Sequence, residues 1–191
     1  MDNRKRFGRL VQLLLALVLV LLSPIKGEAT DHSGAAEIQR LFLRLSISTL
    51  KEAPPLEGMA LDLRGEEVEL SSFRGNVAFL TFWTTWCPSC KVEMPALQKL
   101  YARHQDQGFQ ILAVNIQESA DKVAEYFRAK GLSYTPLLDP RGQMARGLGV
   151  WNVPSTFILD RRGVVLGKVM GARQWDSPEG HKLLELLLTN K

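Results

Sequence analysis

The apolar positions of this 191-residue chain change rhythm several times, and each rhythm predicts a different element. Leu10 to Leu22 is apolar throughout apart from Gln12. Ile38, Leu41, Phe42 and Leu45 then recur at helical spacing, which predicts a short amphipathic helix within a linker over residues 30–53. Tandem prolines, Pro54-Pro55, mark its end, since proline cannot continue a helix. Met59–Leu63 and Glu67–Leu70 are short extended runs around Arg64-Gly65, the pattern of a hairpin. Val77–Trp83 is almost unbroken apolar sequence, as in a central strand buried on both faces. A helix-forming stretch follows as far as Arg103, and Pro95 is expected to kink it or split off its first turn. Phe109–Asn115 reads as the next strand, and Asp121–Lys130 as a helix turning Val123, Ala124 and Phe127 inward. Tyr134–Leu138 reads as a short strand and Arg141–Leu148 as a brief helix. Ser155–Leu159 and Val164–Met170 form two strands turned at Asp160–Gly163, and Pro178–Leu188 is a closing leucine-rich helix. The order predicts one α/β domain over residues 54–191, a central mixed sheet covered by helices on both faces.

Charge changes the picture only at the N-terminus. Residues 1–29 hold five basic and two acidic residues, so they carry +3 of the net +4. A body this near neutral has no electrostatic footprint for nucleic acid. Arg4–Arg9, the apolar run and Gly27-Glu28-Ala29 together have the layout of a secretory signal, with cleavage expected after Ala29. The alternative is a retained membrane anchor, although thirteen residues fall short of the roughly twenty that span a bilayer. Both place the domain in the periplasm or otherwise outside the cytoplasm, in an oxidising compartment.

The chemistry is concentrated at Trp86-Cys87-Pro88-Ser89-Cys90, where predicted strand gives way to predicted helix. These are the only two cysteines. Pro88 suits the first turn of a helix, where its missing N–H has no partner to lose. Cys87 then lies at the helix N-terminus, where free N–H groups and the macrodipole favour a thiolate. Cys90, one turn further in, is expected to be more buried and less acidic. An attacking sulfur beside a resolving one is the basis of thiol–disulfide exchange. A closed zinc site needs four ligands, and His32, His104 and His181 are scattered in the sequence. A purely structural bridge this short would contribute little, because it closes a very small loop. No metal or organic cofactor is required.

Phe82-Trp83-Thr84-Thr85-Trp86-Cys87-Pro88-Ser89-Cys90, with Pro95 and the downstream Val153-Pro154-Ser155-Thr156-Phe157, resembles the thioredoxin superfamily. More narrowly, the chain is similar to the TlpA/ResA/CcmG group of extracytoplasmic thiol–disulfide oxidoreductases over residues 54–190. The resemblance implies a thioredoxin fold with an N-terminal β-hairpin extension. It implies that Pro154 is cis and faces the sulfurs, and that Val153 pairs with the partner's extended backbone. It sets Glu93 near the sulfurs, where a partly buried carboxyl would exchange a proton with Cys90 or bond a partner; the residues alone favour a solvated glutamate in a helix's first turns. Pro88-Ser89 tunes the potential. Trp86 either shields the outer thiol or fills the strand–helix corner. Many thioredoxins carry a buried aspartate where this chain has Thr81, which leaves the proton role to Glu93.

The function expected is therefore reduction of disulfides in exported proteins, apocytochrome c among them, with a membrane thiol reductase as electron donor. The rival readings are a net disulfide oxidase, a peroxiredoxin-like peroxidase and a copper or haem chaperone. Thr84 has the position a peroxidase needs, but Leu80 replaces that family's proline. A chaperone lacks a histidine or methionine at motif spacing, apart from Met94.

Overall fold

The structure, a computed structural model, describes residues 29–50 and 55–189. The basic and apolar leader, with its cleavage site or anchor, lies outside them apart from Ala29. Among the described residues no helix is long and apolar enough to cross a membrane.

β4 (Val77–Trp83) is buried along its whole length, as its sequence requires. Its period of two sends Val77, Phe79 and Trp83 to one side of the sheet and Ala78, Leu80 and Phe82 to the other, and each set seeds its own core cluster. β5 (Phe109–Ile116) pairs with it in parallel, and β6 (Thr135–Asp139) pairs in parallel with β5. On the other flank β7 (Ser155–Leu159) is antiparallel to β4, and β8 (Val165–Met170) is antiparallel to β7. β2 (Met59–Leu61) and β3 (Glu67–Glu69) form the predicted hairpin and attach antiparallel to β6. With β1 (Ser48–Thr49) on β8, the eight-stranded order is β1-β8-β7-β4-β5-β6-β2-β3.

The helices are α1 (Ala29–Arg44), α2 (Pro88–His104), α3 (Ala120–Lys130), α4 (Gln143–Gly147) and α5 (Pro178–Thr189). α2 runs uninterrupted through Pro95, so no first turn is split off. Met94, Ala96 and Leu97 are all buried around that proline, and their packing offsets its one missing hydrogen bond. α3 ends on Gly131, whose φ of 60° lets its N–H reach the carbonyls of Arg128 and Phe127.

The expected amphipathic helix is α1, and it is more than a connector. Ile38, Leu41, Phe42 and Leu45, with Ile47 beyond them, are buried in the same cluster as Phe79, Trp83 and Leu97. Burying such side chains stabilises by about 1.5–3 kcal/mol each. The packed unit accordingly starts at Gly34.

Candidate active site

Cys87 is the N-cap of α2, with extended backbone (φ −72°, ψ 116°). Its Sγ accepts the Cys90 N–H at 3.1 Å, and Pro88 occupies the first helical position. The two cysteines are joined in a disulfide, their Cα atoms 5.3 Å apart. Cys87 is 3% exposed and Cys90 is fully buried, a smaller difference than the spacing predicts, and of the two it is Cys87 that lines a groove. Ser89 donates its hydroxyl to Cys87 Sγ at 3.3 Å. The Val153 carbonyl oxygen lies 3.6 Å from the same sulfur, and the Val153–Pro154 bond is cis. Ser89 and Val153 thus flank the outer sulfur, and Pro88 lines the groove beside it. Cys87 opens into a groove of about 580 Å³ that Trp86 also lines. Trp86 is 65% exposed, so it does not fill the strand–helix corner; Trp83 is the buried one.

Glu93 is 1% exposed, on the buried side of α2 one turn beyond Cys90. Its Oε1 accepts the Trp175 indole N–H at 2.7 Å and the Arg173 backbone N–H at 3.1 Å. Its Oε2 is buried without a partner. Burial pushes the carboxyl up to about 7, against the two hydrogen bonds and the Arg173 charge that favour the ionised form. A carboxyl poised there exchanges a proton readily near neutral pH. Thr81, where many thioredoxins carry an acid, is buried and accepts the Thr156 hydroxyl at 3.0 Å.

Residues 50–167 match the model of the AhpC/TSA family. The chain belongs to the AhpC/TSA family. Within it, this family member is 34% identical over 180 residues to the thiol-disulfide oxidoreductase ResA of Geobacillus kaustophilus, covering 93% of this chain and 96% of that one. The Chlorobium tepidum chain assigned as thiol:disulfide interchange protein DsbE superposes with a TM-score of 0.65 at 28% identity, over 73% of this chain and 99% of its own. Bacillus subtilis StoA gives 0.56 at 25% identity, over 70% and 98%. The AhpC/TSA chain is thus a thioredoxin-fold thiol–disulfide oxidoreductase with a close, disulfide-joined cysteine pair.

Two supports of this AhpC/TSA site escape a reading of the sequence. Trp175, fully buried, holds Glu93 from 82 residues away. Glu118 clamps the loop before the cysteines: its Oε2 accepts from Thr85 N and Asn115 Nδ2 at 2.6 and 2.8 Å, and its Oε1 from the Thr85 hydroxyl at 2.6 Å. Burial pushes this carboxyl up, but hydrogen bonds from Lys122, Thr85 and Asn115 outweigh it and hold it at about 2. The available signal was topological: β4 and β5 are parallel neighbours, so the residues after Trp83 and Asn115 meet at the carboxyl edge of the sheet. His104 and His181, scattered in sequence, do come together, with Nε2 and Nδ1 3.1 Å apart. They sit at the far end of α2, roughly 25 Å along the helix from the cysteines at 1.5 Å per residue. Among the described residues no group of three His, Cys, Asp or Glu side chains is placed to hold a metal ion.

Proposed function

We propose that this oxidoreductase is an exported reductant that opens disulfides in other exported proteins, of the kind that prepares apocytochrome c for haem attachment. The Cys87 thiolate attacks one sulfur of the partner's disulfide; the Cys87–S bond forms as the partner's S–S bond breaks, and the other partner sulfur leaves as a thiolate. Cys90 gives its proton to Glu93, attacks Cys87 Sγ and expels the second partner sulfur. Two electrons have then passed to the partner, and the Cys87–Cys90 disulfide remains for a membrane thiol reductase to reopen. Pro154 shapes the groove, Val153 takes the partner's backbone, and Pro88 and Ser89 with Trp86 complete the contact surface. The leader, cleaved or kept as an anchor, places the domain outside the cytoplasm.

The observation that carries this reading is Glu93, a buried carboxyl held near pH 7 one turn from the resolving sulfur. It answers the need of the second step, which must deprotonate a thiol with no exposure to water. The reduction potential tests the direction: a value near −270 mV is expected, and one near −120 mV would make the protein an oxidant. Trapping tests the partner. A Cys90→Ala variant in the native host should retain apocytochrome c on Cys87, and a trapped set without it would remove that assignment.

A further inference from the structure

Tryptophan is normally well buried because its ring surface is large and apolar. Trp151 is 85% exposed, and with Trp86 it lines the groove that holds Cys87. Its exposure does not come from a loose loop. Val150 beside it is buried, and its N–H bonds to the Ala145 carbonyl at 2.8 Å. The Lys168 ammonium reaches the Leu148 and Gly149 carbonyls at 3.4 and 2.8 Å, seated 4.8 Å from the centre of the Phe157 ring. On the other side the Ser155 hydroxyl holds the Asn152 carbonyl at 2.8 Å. The backbone is pinned on both sides of an indole that faces water.

The position of that indole relative to the chemistry matters. Val153, whose carbonyl touches Cys87 Sγ, is two residues beyond Trp151. A partner lying extended along this segment with its cysteine at Cys87 carries a flanking side chain one or two places away, within reach of an aromatic ring. Apart from the Cys87 thiolate of the reduced protein, whose charge is gone once the mixed disulfide forms, none of the groove-lining residues carries a charge. A charged neighbour would lose hydration there without an ionic partner, whereas an apolar one gains by leaving water.

We infer that Trp151, together with Trp86, selects partners whose reactive cysteine is flanked by an aromatic or other large apolar residue. The inference rests on the disulfide-exchange role proposed above and names the partner chemistry that this site prefers.

Three synthetic peptides sharing one Cys-x-x-Cys disulfide, flanked by Phe, Gly or Lys, test it with the reduced protein. The Phe peptide should be reduced with a kcat/KM about 2- to 12-fold above the Gly peptide, the range an aromatic pair supports. Trp151→Ala should bring that ratio close to one, and Trp151→Phe should keep most of it. A ratio unchanged by Trp151→Ala, or a preference for the Lys peptide through a cation over the indole, would overturn the inference. The oxidised protein and the dithiol peptides pass through the same mixed disulfide, so the preference must reappear in that direction. If it does while the potential proves oxidising, the reductant reading falls and the inference stands. If no peptide turns over in either direction, both fall.

Discussion

Replacing Glu93 with glutamine should make the oxidised protein more stable than wild type at pH 8 by about 3 kcal/mol, yet leave the two nearly equal at pH 4. The magnitude follows from the carboxyl's rise from 4.5 to about 7, at about 1.4 kcal/mol per pH unit. Below the lower value folded and unfolded chains both hold the proton, and the glutamate costs nothing extra. Between 4.5 and about 7 the unfolded chain releases it while the folded one keeps it, so wild-type stability falls as pH rises. Above about 7 the folded chain must bury a charge, and the full deficit is present. Glutamine carries no charge in either state and has no such slope. Its carbonyl still accepts from Trp175 and Arg173, and its amide hydrogens stand where the protonated acid's O–H would, beside the unpartnered Oε2. The local contacts therefore cancel at pH 4. Urea denaturation of both proteins at pH 4, 6 and 8 measures the difference; by heat it corresponds to roughly 6–12 °C at pH 8 for a domain of this size. A glutamine variant less stable at pH 8, or a gap that does not change with pH, would refute the burial argument and with it the proton-carrying role.

Glu118→Ala should cost about 2–4 kcal/mol, because Thr85, Asn115 and Lys122 lose a shared charged acceptor. Since the carboxyl is held at about 2, that wild-type advantage should be full above about pH 4.5 and fade as pH falls towards 2, as read by denaturation at several acid pH values. Gly180→Ala should destabilise even though alanine gains about 1 kcal/mol of helix propensity, because the added Cβ would collide with the Trp175 carbonyl oxygen; a higher melting temperature would contradict it. Phe42→Ala should lose about 3–5 kcal/mol by denaturant titration, and a change under 1 kcal/mol would show that α1 is dispensable.

The placement of the cysteine pair at a helix start was legible because its determinants are local. The cysteine spacing, the proline between them and the apolar strand before them lie within one short stretch, Val77 to Cys90. Glu93 shows where that legibility stops. Its position three places after Cys90 is local, but its state depends on Trp175 and Arg173, brought in by a loop about 80 residues later. Thr85 and Glu118 are 33 residues apart and meet only because two parallel strands end together. For α1 the helical spacing identified the element, while the site of its burial depended on β8 offering an edge for β1 to pair with. Trp151 gave no signal, since in a string such as Val150-Trp151-Asn152-Val153 nothing local tells an exposed ring from a buried one.

Arg173 ties Glu93 to the chain just before β1. Its guanidinium holds the carbonyls of Leu45 and Ser46 at 2.6 and 3.3 Å together with those of Gly171 and Ala172, while its own amide holds Glu93. A recombinant form trimmed to begin at the tandem prolines would keep both sulfurs and most of the sheet. It would also cast off the moorings of the residue that steadies the carboxyl, so acidities or rates measured on that shortened chain would describe a differently tuned molecule.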